Sequence, residues 1–143
     1  MDAFVALLQA HAIATRRLSG QLVDDHGLTI NDYEVLLRLA RAPERRMRRV
    51  DLAARVFLTP SGITRLLDGL ERCGYVERLA CPSDRRVAWA VLTDEGFAKV
   101  EEASRSHFAQ IEELFGERLE RDELATLTQL LGRMSHAEAG RDG

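Results

Sequence analysis

Residues 58–71, with the sequence LTPSGITRLLDGLE, contain the strongest local signal in the chain. Thr59 can cap a helix, and Pro60 suits the first turn because its missing amide hydrogen has no helical acceptor there. The apolar face of this helix carries Ile63, Leu66, Leu67 and Leu70, and its polar face carries Ser61, Arg65, Asp68 and Arg72. The spacing therefore predicts an amphipathic helix from Pro60 to about Cys73.

Three helices are predicted before this segment. The first is long, with apolar side chains at helical spacing, and Gly27 suits the residue just past its C-terminal end. Thr29 or Asn31 can cap the second, and Pro43 closes it. The second helix is expected to face inward with Tyr33, Leu36, Leu37 and Ala40, and the short third helix with Val50, Ala53 and Val56.

After Gly74 the apolar pattern changes to the alternation typical of strands. Residues 75–79 and 87–91 predict a β-hairpin in a sheet of two or three strands, with Val87, Trp89 and Val91 on one face. The tip between the strands ends in two arginines. Thr93 can cap a long fifth helix, and a sixth helix follows with Asp122 and Glu123 in its first turn.

The charge is divided unevenly along the chain. The net charge is −3, yet residues 38–86 hold 12 arginines and 6 acidic residues, which leaves the rest strongly acidic. A basic middle in an acidic protein favours contact with a polyanion there, although a solvated surface is equally consistent with charge alone. The arginines at 45, 46, 48 and 49 likewise fit either phosphate contacts or a solvated connector.

Short helix, turn, capped helix and basic hairpin together predict a winged helix-turn-helix that binds DNA. The capped helix fits a B-form major groove, and the arginines of the hairpin suit a narrow minor groove. Asp68 is expected to pair with a nearby arginine rather than to contact a base. The candidate DNA-contacting residues are Thr59, Ser61, Thr64, Arg65, Asp84, Arg85 and Arg86.

Four motifs resemble the MarR family of transcriptional regulators: residues 58–71, GYVER at 74–78, DRR at 84–86 and LTDEG at 92–96. The resemblance implies a homodimer that binds a pseudo-palindromic operator, most often as a repressor. The family's Asp-x-Arg pattern falls on Asp84 and Arg86. It implies that Arg86 enters the minor groove, that Asp84 orients the arginines, and that Arg85 contacts phosphate.

A single, mainly α-helical domain over residues 1–143 is the expected organisation. Residues 29–96 would form the winged helix-turn-helix lobe, and residues 1–28 and 97–138 the flanking dimerisation helices. The apolar stripes at both ends exceed what one small core needs, which favours a dimer. The interface candidates, not separable from core positions by sequence, are Phe4, Leu7, Leu8, Leu114, Leu119, Leu127 and Leu131.

The resemblance also implies a small effector, often an aromatic anion, bound between the dimerisation helices and the DNA-binding lobe. His11 and Tyr33, with Arg16 or Arg17, are the candidate lining residues. The favoured interpretation places His11 and Tyr33 in the core instead, since such residues are more often core than ligand-binding.

Several other classes of protein find little support. The chain has no catalytic motif, so we expect no enzyme, and its two cysteines and four histidines do not cluster, so we expect no metal or cofactor. It has no apolar run of the ~18 residues that a membrane span needs. The N-terminus lacks the basic residues of a signal peptide, and we expect a cytoplasmic protein. The open alternatives are a protein-interaction module and a redox-controlled regulator that uses Cys81.

Overall fold

The computed structural model describes residues 2–56 and 58–139. Within them the chain forms α1 (Ala3–His26), α2 (Ile30–Arg41), β1 (Arg46–Arg48), α3 (Arg49–Arg55), α4 (Pro60–Arg72), β2 (Val76–Cys81), β3 (Asp84–Leu92), α5 (Asp94–Gly116) and α6 (Arg121–Ala139). The fold is mainly helical with a small antiparallel sheet, as the sequence predicts. None of these helices is long and apolar enough to cross a membrane.

Two compact units divide the chain, one ending at His107 and the other beginning at Phe108. The first unit holds α1 to β3 and most of α5, including all of the winged helix-turn-helix. The second holds the end of α5 and α6. The core of the first unit is built from α2, α3, α4 and the N-terminal half of α5 with the ends of α1 and β3, and its fully buried side chains include Leu22, Val35, Leu36, Leu39 and Leu52.

Helix ends follow the capping signals in the sequence. Thr29 and Asp32 form a capping box at the start of α2, in which each side chain accepts from the backbone amide of the other. Thr59 accepts from Gly62 N at the start of α4, and Thr93 from Gly96 N at the start of α5. These caps fix where the chain turns between α2, α4 and α5.

The sheet has the strand order β1-β3-β2. Val76 pairs with Leu92 and Leu79 with Trp89, so β2 and β3 form the expected hairpin. Its strands run closer to the tip than the sequence suggested, with Asp84 to Arg86 inside β3. The sequence left two or three strands open, and it did not locate the third strand, β1. It lies in the basic connector, where three residues flanked by arginines give too short a pattern for alternation to show.

The orientation of α3 corrects the predicted inward face. Ala53 and Val56 are buried as expected, but Val50 is 64% exposed and Leu52 is fully buried. Leu52, Ala53 and Val56 share one side of the helix because residues four apart lie on the same face. Val50 lies two residues before Leu52, about 200° around the helix, and so faces outward.

Candidate nucleic-acid interface

The N-terminal half of α4 presents a polar face to solvent. Ile63, Leu67 and Leu70 are buried, which anchors the opposite face of the helix in the core. Ser61 and Arg65 are exposed, as their spacing predicts. An exposed arginine on a helix of this width can reach base edges or phosphates in a major groove.

Thr64 differs from its exposed neighbours because its hydroxyl already has two partners. It donates to the backbone oxygen of Pro60 at 2.9 Å and accepts from Arg49 Nη2 at 2.8 Å. Its proton is used within the protein, so Thr64 can offer an incoming base only its remaining lone pair. The Arg49 contact instead links α3 to α4.

The tip of the wing is exposed and basic. The side chain of Arg86 is 95% exposed, and its Nε lies 3.8 Å from Asp84 Oδ1. Asp84 also accepts from the backbone amide of Arg86 at 3.0 Å. Arg85 is exposed beside them. The aspartate thus sits where it can orient Arg86 while the guanidinium stays free to extend into a groove of DNA.

Cys81 lies at the same tip. Its Sγ is 3.2 Å from Ser83 Oγ. Hydrogen bonds from the Ser83 hydroxyl, and then from the backbone of Ser83 and Asp84, lower the pKa of the Cys81 thiol from 9.0. Partial desolvation of the thiol, and then the Asp84 carboxylate, oppose that shift. Cys73 is an exposed free thiol at the end of α4.

The arginines of the connector have partners within the protein. The Arg45 guanidinium stacks on Phe97, 3.7 Å from the ring centroid, and Arg46 lies 5.0 Å from the centroid of Trp89. Arg45 also pairs with Asp94 at 3.3 Å. These contacts attach the connector to β3 and α5, so Arg45 and Arg46 are not simply solvated charges.

Asp68 and Arg78 connect α4 to the wing. Arg78 of β2 bonds Asp68, and its Nε lies 3.4 Å from Glu71. Asp68 is therefore an ion-pair partner, as predicted from the sequence. Arg78 itself was missed, because its two partners come from a preceding helix and only the folded chain brings them together.

The residues considered for an effector site lie in different environments. Tyr33 is 3% exposed, its hydroxyl is 2.9 Å from Ser104 Oγ, and its ring is 4.6 Å from that of His107. Burial lowers the pKa of His107; Glu34 opposes this and His26 adds to it. His11 and Arg16 are exposed on α1, and Arg17 is half-buried. Tyr33 thus belongs to the core, whereas His11 does not.

The candidate residues for the dimer interface differ in how exposed they are. Phe4 is 68% exposed, Leu8 52% and Leu131 39%, while Leu114 is only 6% exposed. Leu7, Leu119 and Leu127 are half-buried. Leu114 is therefore already covered within the single chain, and the others present apolar surface on α1, on α6 and before α6.

Comparisons with known proteins agree with this geometry. A sequence model of the MarR family matches residues 26–87, from the end of α1 into β3. AbsC, a MarR family transcriptional regulator from Streptomyces coelicolor, is 30% identical, covers 99% of this chain and 97% of AbsC, and superposes with a TM-score of 0.81. The chain belongs to the MarR family of transcriptional regulators.

Two further relatives extend this MarR family assignment. Sco3205, a MarR family regulator from Streptomyces coelicolor solved in complex with DNA, has a TM-score of 0.88 at 27% identity, over 98% of this chain and 88% of Sco3205. The HTH-type transcriptional repressor YetL from Bacillus subtilis (strain 168) is 38% identical over 85 residues, which are 59% of this chain and 51% of YetL. This chain thus matches about half the length of YetL.

Proposed function

We propose that this MarR family regulator is a homodimeric repressor that binds a pseudo-palindromic operator and releases it when a small molecule binds. The observation that carries the proposal is the pairing of two exposed polar elements in one lobe. The N-terminal half of α4 presents Ser61 and Arg65, and the wing presents Arg85 and Arg86. A helix for the major groove beside an arginine for the minor groove is the arrangement of a DNA-reading winged helix.

Exposed apolar side chains support the homodimer. The N-terminal half of α1 exposes Phe4, Val5 and Leu8, and α6 exposes Leu130, Leu131 and Met134. Exposed apolar clusters of this kind mark interaction surfaces in proteins. Two lobes related by a two-fold axis would read half-sites about one helical turn apart, roughly 34–36 Å.

Repression is argued from a relative, and release from the need to contact two half-sites together. YetL, which is 38% identical over 85 residues, is named as a repressor. An effector that holds the two lobes at another spacing would weaken DNA binding, because both half-sites must be contacted together.

The first experiment is in-vitro selection from a random-sequence duplex library, followed by fluorescence anisotropy of the selected duplex and a scrambled one at several salt concentrations. A sequence-specific regulator should bind the selected duplex at least ~10³-fold more tightly, with a steep salt dependence. Equal affinity for both duplexes would contradict sequence-specific binding. No binding at low salt would favour a protein-interaction module.

A further inference from the structure

A groove of about 340 Å³ lies between α3, α4 and β3. Arg48 lines it from the end of β1, Arg49 and Val50 line it from the start of α3, and Thr64 lines it from α4. Arg86 and Val87 line it from β3. The groove thus combines three guanidinium groups with apolar side chains. It separates the helix proposed for the major groove from the strand that carries the wing arginines.

The charges in this groove are only partly neutralised by the protein. Arg48 Nε is 3.4 Å from Asp51, and both side chains are 54% exposed, so solvent screens that pair. Arg49 bonds the hydroxyl of Thr64 rather than a carboxylate, and its Nε is buried without a hydrogen-bond partner in the described residues. An anion that reaches Arg49 would supply a charged acceptor to this guanidinium.

The position of the groove indicates which anion fits. In B-form DNA, the part that separates a major groove from the adjacent minor groove is a sugar–phosphate strand. If α4 occupies one groove and Arg86 the next, that strand must cross the space between α4 and β3. We propose that the groove holds a sugar–phosphate segment of bound DNA, with Arg48 and Arg49 contacting one phosphate and Val50 lying against a deoxyribose. This inference rests on the proposed DNA-binding function.

The exposure of Val50 supports the sugar contact. Val50 is 64% exposed at the start of α3, whereas Leu52 two residues later is fully buried. Packing within the chain therefore does not require an apolar side chain at position 50. A deoxyribose presents carbon atoms between its phosphates, so an apolar side chain beside two arginines matches the alternating chemistry of the strand.

The test couples a protein change to a DNA change. In the duplex selected by the wild type, single phosphates are replaced one at a time by neutral methylphosphonates, and each duplex is titrated with wild type, Arg48→Gln, Arg49→Gln and Arg55→Gln. Arg55 is the matched control, because it is an exposed arginine of α3, the helix that begins at Arg49, and it lies outside the lining of the groove. Arg48 is largely exposed, so its variant should fold even if Arg49→Gln disturbs the contact with Thr64, and circular dichroism checks each fold.

We expect one methylphosphonate position, between the bases facing α4 and the minor groove facing the wing, to weaken wild-type binding about three- to tenfold. The same substitution should have little further effect on Arg48→Gln or Arg49→Gln, while Arg55→Gln should respond as the wild type does. The slope of log affinity against log salt should also become shallower by about 0.9 for each lost phosphate contact.

The outcomes separate this inference from the function on which it rests. Wild-type binding with equal methylphosphonate effects in all four proteins would overturn the phosphate site and leave DNA binding intact. Failure of the wild type to bind any duplex would overturn both. If the methylphosphonate also failed to weaken binding by Arg55→Gln, the phosphate would be sensed through general charge attraction rather than through a site in the groove. That result would also overturn the proposal.

Discussion

Arg86 is the residue through which the wing is proposed to contact DNA. Its side chain is 95% exposed and makes one long pair with Asp84, so removing it leaves the packing of the hairpin unchanged. We expect Arg86→Ala to weaken binding to the selected duplex about ten- to a hundredfold, since a lost base or phosphate contact from arginine has effects of that order. Anisotropy titration measures the affinity, and circular dichroism the fold.

Arg105→Ala is the control for that substitution. Arg105 is an exposed arginine of α5, outside the winged helix-turn-helix. The substitution therefore removes the same charge from another surface. Its affinity should stay close to that of the wild type. If the two variants lost DNA affinity equally, Arg86 would contribute only through the net charge of the protein. An unchanged affinity for Arg86→Ala would show that the wing assignment is wrong.

The Cys81 thiol gives a second prediction at the residue scale. Because the Ser83 hydroxyl lowers the pKa of the thiol, the reactive thiolate fraction near pH 8 is larger than for a thiol with the ordinary value of 9.0. In a Cys73→Ala background, iodoacetamide alkylation measured against pH should have its midpoint below 9.0. Ser83→Ala should move that midpoint upward. A midpoint at 9.0 or above in the parent would contradict the hydrogen-bond effect.

At the scale of elements, Gly96 sets the approach of α5 to the hairpin. A Cβ at position 96 would lie 2.2 Å from the backbone oxygen of Tyr75 and 2.7 Å from Leu92 Cδ1. The first of these atoms is backbone and cannot move aside alone. We expect Gly96→Ala to lower the free energy of unfolding by about 1–3 kcal/mol, measured by urea denaturation at fixed protein concentration.

Gly20 provides the opposite case within α1. A Cβ there meets nothing within 4 Å, so the substitution adds no clash. Gly20→Ala should raise the free energy of unfolding by about 0.5–1 kcal/mol, because alanine loses less backbone entropy in a helix. If both alanine variants were destabilised equally, the close contact at Gly96 would not be the cause.

The elements that sequence predicted well are those with local signals. The caps at Thr29, Thr59 and Thr93 use side chains that bond amides three residues away, so the sequence contains the whole interaction. Strand β1 has no such signal, because its ladder partner in β3 is more than 40 residues away. Val50 was assigned inward because a seven-residue helix gives too few positions to fix the phase of its apolar face.

In the candidate nucleic-acid interface too, sequence predicted the local features and missed those that depend on tertiary contacts. Exposure of Arg65 and Arg86 followed from helix period and hairpin position, which are local properties. The second partner of Thr64, the pairing of Arg78 with two residues of α4, and the cation–π contacts of Arg45 and Arg46 depend on tertiary contacts. Sequence therefore predicted the exposure of Arg65 and Arg86, but it did not predict which other arginines have partners within the chain.

At the scale of the whole molecule, the exposed apolar residues are the reason to expect a dimer. Leu8 of α1 is 52% exposed, and we expect the wild type to sediment at twice its chain mass of 16.1 kDa at micromolar concentration. Leu8→Asp should shift the protein toward monomer, because a carboxylate in an apolar interface loses its hydration without gaining a partner.

Leu79→Asp is the control for the dimer, because Leu79 is 46% exposed but lies on the wing. This variant should remain dimeric. A monomeric Leu8→Asp should also bind the selected duplex much more weakly than the wild type, since it loses the simultaneous contact with two half-sites. A wild type that sediments at 16.1 kDa would overturn the homodimer, and the apolar surface of α1 would then have to be assigned to a different protein.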